Sequence, residues 1–282
     1  MFTLNCKGRL LSLGSPVVMG IINVNENSFY EDSRKITLPA VVKTAGEMLA
    51  AGAGILDLGG QSTHPKSPEV SAAKEQNRVI PAIEAILTKY PEAILSIDTY
   101  FSSVAEAAVK AGALIVNDIS AGRIDPEMLA AVATLGVPYV AMHMQGTPAT
   151  MQSHLQYEDV FISVMDYFIE RLASCEKAGI KDIVIDPGFG FSKNQQQNYQ
   201  LLSRLQDFTL LGRPILVGVS RKSMIYKALG LTAGEALNGS TVLHTFALQH
   251  GADILRVHDV QAAVEAIKLL NLLEPSYSLQ QC

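Results

Sequence analysis

Eight short apolar runs recur along the chain, and each ends in polar residues. They cover residues 17–23, 55–60, 94–98, 114–118, 139–143, 183–186, 215–220 and 254–258. The runs are continuous rather than alternating in polarity, as parallel strands buried on both faces require. Between them lie segments with apolar residues at helical spacing: 39–51, 72–89, 102–111, 126–135, 159–178, 199–205, 240–250 and 260–272. Three helix-to-strand junctions read alike, at Ala51-Gly52-Ala53, Ala111-Gly112-Ala113 and His250-Gly251-Ala252. Glycine after the last helical turn is a common stop, and its repetition marks a series of similar units. Eight βα units predict a closed (β/α)8 TIM barrel. An open doubly wound sheet also alternates strands and helices, but no strand here is followed by GxGxxG. Residues 1–15 read as a hairpin that could plug the barrel floor, and residues 273–282 as a flexible tail.

Closure brings the C-terminal ends of all eight strands to one mouth. The runs end at Asn23, Asp57, Asp98, Asn117-Asp118, His143, Asp186, Ser220-Arg221-Lys222 and Arg256-Val257-His258-Asp259. Two long polar loops, 25–37 and 61–71, follow the first two runs, where active-site lids tend to lie.

Composition narrows the picture. The 282 residues fit a single barrel domain of about 250 residues with short additions. Net charge is −5 and the cations are scattered apart from Arg221-Lys222, which argues against nucleic-acid binding. No apolar run approaches the roughly 18 residues of a membrane span, and residues 1–8 lack a signal-peptide pattern. Cys6, Cys175 and Cys282 are odd in number and far apart, which fits a reducing compartment and a cytoplasmic location.

Asp98, Asn117 and Asp186 should point into the mouth. Two carboxylates and an amide there suit a flat, nitrogen-rich heterocycle, although each alone could be a cap or loop anchor. Ser220-Arg221-Lys222-Ser223 opens a helix, and alternation places Arg256 and His258 on one side of the last strand. Barrels often bind phosphate near their last two strands. A basic pair at a helix N-terminus opposes the macrodipole, which calls for a bound anion or an acid partner. Lys222 could also polarise a ring carbonyl. Phe189 and Phe191 flank glycines after Asp186; they either cover a ring ligand or pack within their loop. His143 reads as a satisfied polar residue at the rim rather than a ligand. There is no HExxH, no His pair at metal spacing and no P-loop, so zinc and nucleotide hydrolysis lack support.

Taken together, the strand-end motifs resemble dihydropteroate synthases. The stretches are Met19-Gly20-Ile21-Ile22-Asn23-Val24, Gly59-Gly60-Gln61-Ser62-Thr63, Ser96-Ile97-Asp98-Thr99 and Asn117-Asp118-Ile119. Met142-His143-Met144-Gln145-Gly146, Asp186-Pro187-Gly188-Phe189-Gly190-Phe191, Ser220-Arg221-Lys222-Ser223 and Arg256-Val257-His258-Asp259 complete them, in order. The resemblance implies joining of (7,8-dihydropterin-6-yl)methyl diphosphate to p-aminobenzoate, releasing diphosphate. It implies that Asp98, Asn117, Asp186 and Lys222 hold the pterin, with Met142 beside it. Asn23, Arg256 and His258 would bind diphosphate and Mg²⁺, with Asn23 the metal ligand. Thr63, His64, Phe191, Ser220 and Arg221 would surround p-aminobenzoate and diphosphate. Asp98, Asp186, Lys222, Arg256 and His258 are the expected catalytic set, and a homodimer through the later helices is implied.

Both long loops depart from the family pattern. Asn-Val-Thr-Pro-Asp-Ser-Phe has become Asn23-Val24-Asn25-Glu26-Asn27-Ser28-Phe29, and Glu-Ser-Thr-Arg-Pro-Gly has become Gln61-Ser62-Thr63-His64-Pro65-Lys66. An acid and an arginine are thus replaced by Asn27 and His64, a pair able to keep a neutral hydrogen bond. The changes bear on activity and on tolerance of p-aminobenzoate analogues such as sulfonamides. Two other readings compete. A methyltetrahydrofolate-dependent methyltransferase shares the barrel and pterin acids but has no need of the Ser220–Ser223 and Arg256–Asp259 cations. A non-catalytic pterin-binding paralogue rests on the altered loops alone.

Overall fold

A computed structural model describes residues 1–24, 38–61, 70–153 and 155–273. The altered positions Asn25, Glu26, Asn27, His64 and Lys66 lie outside them, as do Thr63 and the tail from residue 274, while the altered Gln61 is described. A hairpin of β1 (Thr3–Cys6) and β2 (Arg9–Ser12) precedes the barrel. Its strands are β3 (Val17–Asn23), β4 (Ile55–Gly59), β5 (Leu95–Asp98), β6 (Ile115–Asp118), β7 (Tyr139–Met142), β8 (Ile183–Asp186), β9 (Leu216–Val217) and β10 (Ile254–Val257). The helices are α1 (Leu38–Ala50), α2 (Ala72–Lys89), α3 (Ser102–Ala111), α4 (Met128–Leu135) and α5 (Val160–Ala178), then α6 (Gln195–Ser203), α7 (Ser223–Leu229), α8 (Leu237–Gln249) and α9 (Val260–Leu273).

All eight barrel strands run parallel in the order β8-β7-β6-β5-β4-β3-β10-β9. A single bridge from Ile185 to Ile215 joins β8 to β9 and closes the ring. The apolar run at 215–220 yields only two strand residues. Beyond Val217 the chain leaves the ladder and turns, with the Lys222 N–H on the Val219 carbonyl and Arg221 at φ +52°. Helix ends follow their local chemistry. Asp159 caps α5 by accepting from the Phe161 and Ile162 N–H groups, and Gly179 ends it at φ +97°. Asn194 and Gln197 form a capping box that starts α6 earlier than its apolar spacing suggests.

The hairpin does plug the floor. Leu4, Cys6 and Leu13 cluster with Met19, Ile55, Ile115, Val140, Val184, Leu216 and Ile254. Two residues further along each strand, the period-2 pleat returns to the interior. The next layer therefore holds Asp57, Asn117, Met142, Asp186, Gly218 and Arg256. An apolar floor beneath a polar layer keeps water from reaching the site from below. Leu4→Ala should cost about 2–4 kcal/mol of stability, read by urea denaturation, with substrate KM unchanged.

Candidate active site

The polar layer is tied together by ion pairs across the barrel. Arg256 leaves β10 and donates from Nε to Asp57 Oδ2 at 2.7 Å and from Nη2 to Asp98 Oδ2 at 2.6 Å. Asn117 donates from Nδ2 to the same Asp57 oxygen at 3.0 Å. Strand register sets this up, since Asn23, Gly59, Asp98 and Asn117 are successive partners across β3 to β6. Gly59 carries no side chain between Asn23 and Asp98; a Cβ there would sit 3.6 Å from the Asp98 carboxylate. Gly218 likewise leaves room beside Arg256 and Lys222.

Asp186 and Lys222 form the opposite wall. Asp186 is buried at the end of β8, with Oδ1 accepting the Gly188 N–H at 2.8 Å. Lys222 donates from Nζ to the Phe189 carbonyl at 2.5 Å and lies 4.8 Å from the centre of the Phe191 ring. The roof is apolar: Tyr100, Ile119, Met142, Met144 and Met151 cluster, and Phe191 packs against them. At the rim, the Ser220 hydroxyl lies 3.1 Å from His258 Nδ1 and accepts the His258 N–H at 3.2 Å. Asn23 is exposed at the end of β3.

Burial sets the proton affinities. It pushes the Asp98 carboxyl up to about 7, against the pull of Arg256. Asp186 is also raised, chiefly by burial and despite Lys222. Burial brings Lys222 down to about 8, with Asp186 acting against the shift. His258 falls below its ordinary value through burial and the Arg256 charge, which favour the neutral imidazole. Three carboxyls facing Arg256 and Lys222 in a largely buried layer favour a ligand that brings N–H donors or positive charge.

Comparison with known proteins fixes the lineage. Residues 19–258 match the family model described as pterin binding enzyme. The chain belongs to the pterin binding enzyme family. Within it, the chain is 46% identical over 266 residues to the dihydropteroate synthase of Escherichia coli (strain K12), covering 94% of both chains. The Xanthomonas albilineans dihydropteroate synthase solved with 4-aminobenzoic acid superposes with a TM-score of 0.90 at 40% identity, over 97% of this chain and 98% of that one. A Yersinia pestis dihydropteroate synthase solved as a sulfonamide drug complex also gives 0.90, at 38% identity, over 96% and 99%.

For a pterin-binding enzyme, the expected residues converge with some changes of duty. Asp98, Asn117, Met142, Asp186, Lys222 and Arg256 share one layer and its roof. Arg256, expected on diphosphate, has two of its three nitrogens on Asp57 and Asp98. Arg221 was expected to need an acid partner or an anion. The partner is Asp259, held at 2.7 and 2.8 Å, and the third nitrogen reaches the Ala233 and Gly234 carbonyls. Its guanidinium therefore braces the turn that presents Ser220 and Lys222. Phe189 is fully buried in the core, so of the two aromatics only Phe191 reaches the roof. Asp118 faces away, anchoring its loop through the Ser120 and Gly122 N–H groups and the Tyr139 hydroxyl. His143 is a buried, satisfied residue as expected, 2.9 Å from Lys193 Nζ. Thr63 and His64 fall outside the described residues.

Three participants escaped the sequence reading. Asp57 is the anchor shared by Arg256 and Asn117, and its position at a strand end was the available signal. Lys193 follows a glycine-rich loop and reads as solvated, yet it is buried. Glu75 is buried in α2, and burial raises its carboxyl to about 8. It accepts from Gln61 Nε2 at 3.4 Å, while the Tyr100 hydroxyl donates to Gln61 Oε1 at 3.1 Å, bracing the start of the second loop.

Proposed function

We propose that this chain condenses (7,8-dihydropterin-6-yl)methyl diphosphate with p-aminobenzoate to give 7,8-dihydropteroate and diphosphate. The enzyme is an alkyl transferase of folate biosynthesis. The supporting observation is the convergence of Asp98, Asn117, Asp186 and Lys222 on one layer, buried at Asn117 and Asp186 and half-buried at Asp98 and Lys222, joined to relatives that carry this activity in their names. One of these, from Xanthomonas albilineans, was solved in complex with 7,8-dihydropteroate; it has 39% identity and a TM-score of 0.87.

In this reading, Asp186, Asn117 and Asp98 accept from and donate to the pterin ring edge, and Lys222 supports its carbonyl or ring nitrogen. Diphosphate departs from a methylene on an electron-rich ring, so positive charge spreads into the pterin as the bond breaks. The raised, closely set carboxyls stabilise that charge, which is electrostatic catalysis. We assign the leaving diphosphate to His258, Ser220 and the Nη1 of Arg256, which has no partner among the described residues. The aromatic amine attacks from the side of Phe191, Ser220 and the Arg221 turn, with Thr63 and His64 assigned to the same subsite. An arylamine needs positioning more than a strong base.

Asn23 is the proposed Mg²⁺ ligand. Among the described residues no group of three acids, His or Cys could cage a metal ion. Asn23, exposed at the end of β3, offers an amide oxygen, which suits a magnesium that arrives on diphosphate and takes one ligand from the protein. Bound there, the ion would neutralise charge on the leaving group. We also propose a homodimer, because Leu237, Val242, Leu269, Leu272 and Leu273 of α8 and α9 are exposed; light scattering should return a two-chain mass. Cys6 and Cys175 are free and buried, which suits a cytoplasmic setting. No helix of the described residues is long and apolar enough to cross a membrane.

The direct test combines purified protein, Mg²⁺, the dihydropterin diphosphate and p-aminobenzoate. Diphosphate release that depends on the amine is expected. Pterin binding without turnover would indicate the paralogue, and methyl transfer from methyltetrahydrofolate the methyltransferase branch. The pH profile gives a second check. Pterin capture needs ionised Asp98 and protonated Lys222, so kcat/KM should fall below about 7 and again above about 8. Asp98→Asn should change the acid limb, leaving only the contribution of Asp186, and keep the alkaline one; a profile of unchanged shape would exclude Asp98.

A further inference from the structure

Lys193 is buried behind the pterin wall, outside the residues assigned above. Its ammonium has three N–H donors, and all three are used. They reach His143 Nδ1 at 2.9 Å, the Gly188 carbonyl at 3.0 Å and the Phe191 carbonyl at 3.1 Å. His143 must therefore accept at Nδ1 and carry its proton on Nε2. Burial and the neighbouring Lys193 charge hold its pKa well below the ordinary value, which keeps that acceptor free. His143 is itself fixed to the end of β8 by its N–H on the Asp186 carbonyl at 2.9 Å.

The loop between Asp186 and Lys193 is thus gripped from two sides. Lys193 holds Gly188 and Phe191 from behind, and Lys222 holds the Phe189 carbonyl from the pocket. Gly188 has no freedom to shift toward β7, since even a Cβ on it would meet the His143 carbonyl oxygen at 2.0 Å. The Gly188 N–H in turn orients the Asp186 carboxylate. We infer that Lys193 is a positioning residue for the pterin, setting where the Asp186 carboxylate and the Phe191 ring meet the ligand. This rests on the pterin seat at Asp98, Asn117, Asp186 and Lys222.

A neutral lysine amine keeps only two donors, so one of the three ties is lost with the proton. The charged groups that face Lys193 are Asp186 from β8, which favours its ammonium, and Lys222 ahead of α7, which opposes it. Neutral His143 faces it from β7, and Arg123 acts on that imidazole. Burial brings Lys193 down to about 7, so its proton is held loosely enough to respond to what occupies the pocket. Pterin binding and Lys193 protonation are then linked, and by reciprocity each must strengthen the other.

Two measurements test this, with 6-hydroxymethyl-7,8-dihydropterin and inorganic diphosphate as probes. Lys193→Met should weaken pterin binding by about 10- to 100-fold in calorimetry, as for a lost charged hydrogen bond. Diphosphate affinity in the presence of Mg²⁺ should be unchanged, because Asn23 and His258 do not touch this loop. A lowered melting temperature with unaltered pterin affinity would make Lys193 merely structural and overturn the inference. Asp186→Asn is the control: if it too binds pterin normally, the pterin seat itself is wrong. Should Lys193→Met fail to fold, the wild-type protein carries the second measurement. The Lys193 pKa, followed by ¹³Cε NMR, must rise when the pterin binds, and a value unmoved or lowered overturns the inference.

Discussion

Asp186→Asn is expected to lower kcat/KM for the dihydropterin diphosphate by about 10²- to 10³-fold, the usual effect of truncating a buried charged hydrogen bond. The carboxylate sits buried at the end of β8, and its one tie among the described residues is the Gly188 N–H. An Asn oxygen can keep that bond, so the loop and the fold should survive. The variant loses the second charged acceptor for the ring and the negative charge that faces Lys222. The effect on kcat should exceed that on pterin affinity, because the carboxylate does most when positive charge develops on the ring. Steady-state kinetics with each substrate varied will separate the two, and an undiminished kcat/KM would remove Asp186 from the site.

Arg256→Gln should have the largest effect on stability. The guanidinium is the only charged partner of Asp57 and Asp98 among the described residues, and Asp57 already has an unpaired Oδ1. Stranding two buried carboxyls costs about 3–5 kcal/mol. The loss should shrink as pH falls. Asp98 is raised to about 7 even with Arg256 present. An acid with a raised folded-state pKa binds its proton more tightly folded than unfolded, so acidification from pH 7 toward its ordinary value near 4 favours the fold. Without Arg256 that gain should be larger. Urea denaturation at pH 5 and pH 8 should therefore show a smaller gap from wild type at pH 5. A gap that is constant with pH would mean the ion pairs do not hold the layer.

Much of this was legible in the chain. Continuous apolar runs gave all eight barrel strands, with β3 and β8 at the expected bounds, because buried parallel strands need no alternation to reveal them. The polar ends of those runs marked Asp98, Asn117, Asp186 and Lys222, since barrel closure alone brings strand ends together. Pairings that depend on register stayed hidden. Arg256 meets Asp57 across 199 residues of sequence, and only the β10–β3–β4 alignment makes that contact. Burial of a long polar side chain was equally invisible: Lys193 becomes interior because the loop folds its carbonyls onto it. Phe189 and Phe191 stand two residues apart yet part company, since positive φ at Gly188 and Gly190 turns one ring into the core and the other to the roof. The short β9 reflects a turn held by the Lys222 N–H on the Val219 carbonyl, the Arg221 N–H on the Ser240 hydroxyl and the Arg221–Asp259 ion pair, none of which the sequence shows.

The most direct measurement is a crystal structure of the protein with 6-hydroxymethyl-7,8-dihydropterin. The ring should lie over the Arg256 layer, with its edge in hydrogen-bond reach of the Asp186 carboxylate and the Asn117 amide, and the Lys222 ammonium beside it. A pterin bound elsewhere, with Asp186 and Lys222 facing solvent alone, would contradict the account.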